Sequence, residues 1–82
     1  MQVEAQIVPV GESTFDFISK DSSTEKWDRI QHLNKRQAAE AMDLFSATMR
    51  VMGYCVSKDT QYPLGGSHTT FVRDECKNLS DL

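Results

Sequence analysis

What the sequence does not contain narrows its class before any motif is considered. No apolar run approaches the ~20 residues needed to cross a bilayer, and Met1 to Val10 lack the basic start and continuous apolar stretch of a signal peptide. The expectation is a cytoplasmic protein without a membrane partner. Cysteine is scarce: Cys55 and Cys76 lie far apart and outside any CxxC pair. Without a secretory leader, they are expected as free thiols rather than a disulfide. There is no internal repeat, low-complexity tract or Pro/Ser-rich linker, so the 82 residues read as a single domain (1–82) with a small core. Chemical motifs are equally sparse. No glycine-rich loop runs into GK[ST], and His32, His68, Cys55 and Cys76 form none of the short ligand pairs of a zinc site. No metal, no other cofactor and no enzymatic activity are expected.

Charge of one sign is also missing in quantity. Twelve acidic and nine basic residues give a net charge of -3, which argues against nucleic-acid binding by the molecule as a whole and is too weak for a mimic of DNA. The distribution is more informative. Between Lys26 and Arg36 there are four basic residues, Lys26, Arg29, Lys35 and Arg36, against the single acid Asp28. The lone tryptophan, Trp27, and His32 lie in the same segment. A cluster of cations with an aromatic suits an acidic protein surface or a few phosphates. Lys26, Trp27, Arg29, His32, Lys35 and Arg36 are therefore the candidate partner-binding residues.

Periodicity supplies the elements. Val3, Ala5 and Ile7 alternate with polar residues, as in a half-buried strand. Gly11-Glu12-Ser13 makes a turn, and Phe15, Phe17 and Ser19 share one face of a second strand, with Asp16 opposite and Ile18 breaking the alternation. Lys26 to His32 carries apolar residues at a helix-like spacing, yet it follows a turn-rich Asp21 to Thr24 and is read as the third strand of a meander. Ala38, Ala41, Met42, Phe45, Met49 and Met52 recur at intervals of three and four and form one stripe of a helix from about 35 to 52. Asn34 with Gln37 reads as a capping box, and Gly53 as the residue that ends the helix. Tyr54, Val56, Lys58, Thr60 and Tyr62 are expected on one face of a further strand, and Thr69, Phe71 and Arg73 on one face of the last. Residues 75–82 read as a frayed tail. The fold class is α+β: an antiparallel sheet of four to five strands with one long amphipathic helix on one face. Phe15, Phe17, Val56 and Phe71 are the expected partners of the helix, and the other face is open to solvent or a partner.

The segment Pro63-Leu64-Gly65-Gly66-Ser67-His68-Thr69-Thr70 joins the last two strands as a hairpin bend. Ser67 and His68, being adjacent in an extended chain, point to opposite faces and cannot act as nucleophile and base together. A helix ending in Gly53-Tyr54, a strand, Gly66-Ser67-His68 and a strand with an aromatic resembles the small HicA-type mRNA-cleaving toxins over roughly Ala38 to Arg73. That resemblance implies a catalytic role for His68. The chain departs from that family in its N-terminal strands, its lack of a second helix and its negative charge, and it is not assigned to it.

Size and missing chemistry together lead to one functional expectation. This is a non-enzymatic interaction protein that occludes a larger protein or ribonucleoprotein complex, of the kind that phages and mobile elements use against host defence or regulatory complexes. The alternative is a nucleic-acid-binding module or an RNA-cleaving toxin that uses His68. A homodimer through an open sheet edge is compatible with either.

Overall fold

The computed structural model describes residues 2–21 and 26–73; the expected C-terminal tail lies outside them. The elements are β1 (Gln2–Pro9), β2 (Phe15–Asp21), β3 (Trp27–Leu33), α1 (Lys35–Val51), β4 (Cys55–Gln61) and β5 (Ser67–Val72). All five strands form one antiparallel sheet in the order β3-β2-β1-β5-β4. The first three make a meander. The helix then carries the chain across the sheet to the far edge, where β4 and β5 return as a hairpin that docks on β1. Segment 26–32, ambiguous in sequence, is strand because its residues pair directly with Phe17 to Lys20 of β2.

Register separates the two faces. Val3, Ala5 and Ile7 sit beside Asp21, Ser19 and Phe17 of β2 on one side, and beside Phe71, Thr69 and Ser67 of β5 on the other. This is the face under α1. Val3, Ala5, Phe17, Met49, Tyr54 and Phe71 form its buried core, with Ile7, Leu33, Ala41, Met42 and Phe45 packed against them. Phe45 is the centrepiece of the helix contribution, because its ring meets Phe17 and Phe71 edge to face at centroid distances of 5.6 and 5.7 Å. Such pairs add about 0.5–1.5 kcal/mol beyond burial.

The helix boundaries follow from capping. Asn34 Oδ1 accepts from the Gln37 backbone N–H at 2.8 Å, and Gln37 Oε1 accepts from the Asn34 N–H at 3.0 Å, closing the capping box. Met52 caps the C-terminus and Gly53 follows with φ of +92°. Met52 therefore lies past the last helical turn and is half exposed. It contributes less to the core than the sequence stripe implies.

A β-bulge corrects the reading of β4. Val56 pairs with Phe71 but Lys58 pairs with Thr70, so Ser57 is an extra residue on β4. Tyr54 and Val56 point toward the helix side, whereas Lys58 and Thr60 point to the other face. Val56 itself is 37% exposed, because the helix packs over the meander rather than over this edge. The hairpin bend behaves as expected. Tyr62 C=O accepts from Gly65 N–H at 3.2 Å and Tyr62 N–H donates to Gly66 C=O at 2.9 Å, with Pro63 in the second position of the turn. Gly65 has φ of +89°, and a Cβ on Gly66 would come within 3.0 Å of the Ile7 carbonyl. Both glycines are thus required by the bend.

Candidate binding face of the sheet

Among the described residues no element packs on the face of the sheet opposite α1, and pairing shows what stands there. One row across the strands reads Trp27, Lys20, Glu4, Thr70 and Lys58, and the next reads Arg29, Ile18, Gln6, His68 and Thr60. Trp27 is 58% exposed. It forms one wall of a shallow depression of about 230 Å³ lined also by Glu4, Gln6, Ile18 and Lys20. The apolar Ile18, which interrupts the alternation of β2 in sequence, is the floor of this depression.

The charged groups on this face divide into two kinds. Two pairs are internally satisfied: His68 Nε2 lies 2.9 Å from Glu4 Oε1, and Arg29 Nε donates to Asp16 Oδ2 at 2.7 Å. A carboxylate only accepts, so His68 Nε2 carries the hydrogen in this contact. Lys20 and Lys58 make no ion pair among the described residues. Three strand spacings place them about 14 Å apart. A protein of net charge -3 thus presents, on its uncovered sheet face, two lysines outside the ion pairs, Lys20 being cross-strand from Glu4, and an exposed indole.

Asp16 is the structural anchor of this side. Its side chain is 4% exposed and receives Arg29 at one oxygen and the His32 backbone N–H at the other, the latter at 3.3 Å. Burial alone would raise its pKa. The hydrogen bond from Arg29, that from the His32 backbone and the positive charges of Arg29 and His32 outweigh burial and hold the carboxyl below its ordinary value. The backbone bond explains a local oddity. His32 has φ of 62°, the left-handed region that non-glycine residues rarely occupy, at a bulge where Gln31 and His32 oppose Asp16. By accepting the His32 N–H, Asp16 stabilises that conformation.

The six residues singled out in the sequence do not form one patch. Trp27 and Arg29 stand on the uncovered face. Lys26 lies on the helix side, where it lines a cleft with Phe45, Met49, Met52 and Tyr54. His32 sits at the bulge, and Lys35 and Arg36 open α1. Arg36 reaches Glu40 at 3.2 Å, a fully exposed i,i+4 pair of small value that offsets some of its conflict with the helix dipole. Sequence reasoning missed Lys20 and Lys58 altogether. Strict alternation from Phe15 gives Lys20 to the face of Asp16 and Ile18. For Lys58 no such signal exists, because the bulge at Ser57 cannot be read from the sequence.

Cys55 is disulfide-bonded, contrary to the expectation of a free thiol. It opens β4 opposite Val72, the last residue of β5, so the chain leaving β5 starts beside it. Its sulfur, 3.5 Å from the Val72 carbonyl, has no hydrogen to donate and makes a packing contact. Cys76, the other cysteine of the sequence, lies outside the described residues. No cluster of three or more His, Cys, Asp or Glu suited to a metal ion occurs among the described residues, and no helix there is long and apolar enough to cross a membrane. Comparison with protein-family models, curated proteins and solved structures finds no match to the chain.

Proposed function

We propose that the protein is a non-enzymatic interaction module that binds a larger protein through the uncovered face of its sheet and occludes the surface it covers. The observation that carries this reading is the exposed Trp27 beside unpaired Lys20 on a face also bearing unpaired Lys58. Tryptophan is among the residues most enriched at binding hot spots, and this one is more than half exposed on a face that no other described element covers. The free lysines select a partner surface that is acidic. A phage or mobile-element inhibitor of a host defence or regulatory complex is one concrete form of this reading. The disulfide at Cys55 weighs toward an oxidising compartment instead of the cytoplasm.

The test is capture of a partner by the wild-type chain compared with Lys20→Glu/Lys58→Glu and Trp27→Ala. One stoichiometric protein should be retained by the wild type, lost with both face variants and kept by Arg36→Glu at the helix start. Retention by the face variants, or no partner at all, counts against the proposal. A second reading has one observation in its favour: an indole with nearby cations can stack a base and hold phosphates. Glu4, at the centre of the same row, opposes it. Steep salt dependence of binding to single-stranded RNA would support this alternative, and cleavage of that RNA abolished by His68→Ala would make it enzymatic.

A further inference from the structure

The start of α1 keeps a conflict that the rest of the molecule does not resolve. Its first turn holds no acid, and of the two cations there Arg36 has the carboxylate of Glu40. The Lys35 side chain makes no ion pair or hydrogen bond among the described residues. The capping box uses the N–H groups of Asn34 and Gln37, and Ala38 N–H donates to the Asn34 carbonyl. Those of Lys35 and Arg36 find no partner among the described residues. Positive charge and unused donors thus gather at the positive end of the helix dipole.

A second observation, on another element, points to a ligand. Ser67 is only 6% exposed, and its hydroxyl makes no hydrogen bond among the described residues. Every wholly enclosed side-chain oxygen and nitrogen there is satisfied, so this hydroxyl keeps contact with open space. Alternation sets Ser67 opposite to His68, which meets Glu4 on the uncovered face, so Ser67 points to the helix side. There it lines a cleft of about 160 Å³ beside the first turn of α1, with Lys35 at the rim and Ile7, Phe15, Ala38 and Ala39 as apolar walls. Gly65 leaves one wall accessible, because a Cβ there would come within 3.2 Å of the Phe15 ring. The turns at this end of the sheet, 10–14 and 62–66, both lie within the described residues.

We propose that this cleft binds the carboxylate of a small apolar acid. One carboxylate oxygen accepts from the Ser67 hydroxyl, the other faces the Lys35 ammonium, and the short chain lies against the apolar walls. A single negative charge suits the site better than the two of phosphate. Lys35 is the one cation lining it among the described residues. Nearby, Asp59 accepts from Gln61 Nε2 at 3.2 Å, at the edge of the cleft, and adds a negative charge that a dianion would meet. At the ~30 Å³ that a water takes in the liquid, the space holds about five non-hydrogen atoms, the size of propionate.

The cleft lies on the helix side of the sheet, so it goes beyond the partner-binding proposal and does not depend on it. Titrating the full, isotope-labelled chain with sodium propionate, at an ionic strength held constant with sodium chloride, measures it by NMR. The amide signals of Lys35, Arg36 and Ser67 should shift saturably with a Kd of about 1–10 mM. Dianionic phosphate should bind at least about tenfold more weakly. Ser67→Ala removes only the unpartnered hydroxyl and should weaken propionate by about tenfold, with the urea midpoint unchanged because no hydrogen bond within the fold is lost. Lys35→Met keeps the stem, removes the charge and should weaken it to a similar degree. Arg50→Met, at the other end of the helix, should leave the affinity as it is. No saturable shift up to about 100 mM, phosphate binding as tightly as propionate, or an affinity unchanged in either Ser67→Ala or Lys35→Met would overturn the proposal.

Discussion

Removing the Phe71 ring should reveal how the domain is held together. Phe71 is fully buried, at 0% exposure, and its ring meets Phe45 of the helix edge to face at 5.7 Å. Its strand neighbour Val3 is itself buried, so little can collapse into the space that Phe71→Ala leaves, and the expected loss is about 3–5 kcal/mol. A chain of 82 residues has a total stability of roughly 4–12 kcal/mol. The variant should therefore lose at least about a quarter of the total stability. Phe45→Ala, truncating a partly buried ring, should lose less, about 2 kcal/mol. Because the two rings touch, the losses should not add: the double variant should differ from the sum by about 0.5–1.5 kcal/mol. Phe71→Leu, which keeps most of the volume, provides a measurable variant if Phe71→Ala does not fold. Urea titration followed by far-UV circular dichroism is the appropriate assay, since Trp27 is exposed at the sheet edge and reports little of the core. A Phe71→Ala variant within about 1 kcal/mol of wild type, or losses additive to about 0.3 kcal/mol, would refute this account of the core.

Other expectations rest on the anchors of the site. The Asp16 carboxyl has its pKa lowered in the folded protein, so its contribution is fully present above the ordinary value of 3.8 and is lost as pH falls through the lower folded value. Asp16→Asn should accordingly lower the urea midpoint near neutral pH, with the gap to wild type narrowing in acid; a gap that is constant with pH would contradict it. Asn34→Ala removes one half of the capping box and should destabilise the fold by about 1 kcal/mol, whereas Asn34→Asp should be nearly neutral. Thermal melts that rank the two in the opposite order would count against the capping assignment.

The fold was legible in the sequence wherever one periodicity ran unbroken. The stripe from Ala38 to Met49, the box of Asn34 and Gln37, and the alternation of Val3, Ala5 and Ile7 each predict the observed element. Legibility failed at bulges, because one extra residue inverts the side-chain pattern beyond it. Alternation from Tyr54 places Lys58 and Thr60 on the face of Tyr54, and the bulge at Ser57 turns both to the other face. The candidate site was only partly visible. Trp27 stood out by rarity and Arg29 by local charge, but Lys20, Lys58, Glu4 and His68 come from four different strands and meet only through pairing. The disulfide at Cys55 was hidden for a similar reason: a hairpin, rather than short sequence separation, brings the end of β5 beside it.

The most direct test of binding through the uncovered face is site-specific photo-crosslinking. A photoreactive residue at position 70 would sit in the middle of that face, between Lys20 and Lys58. A second at position 44, where Leu44 is 71% exposed on the outer side of the helix, reports the opposite surface. Binding through the uncovered face predicts one discrete crosslinked protein from position 70 and none from position 44. Crosslinks from position 44 with none from position 70, or none from either, would contradict it.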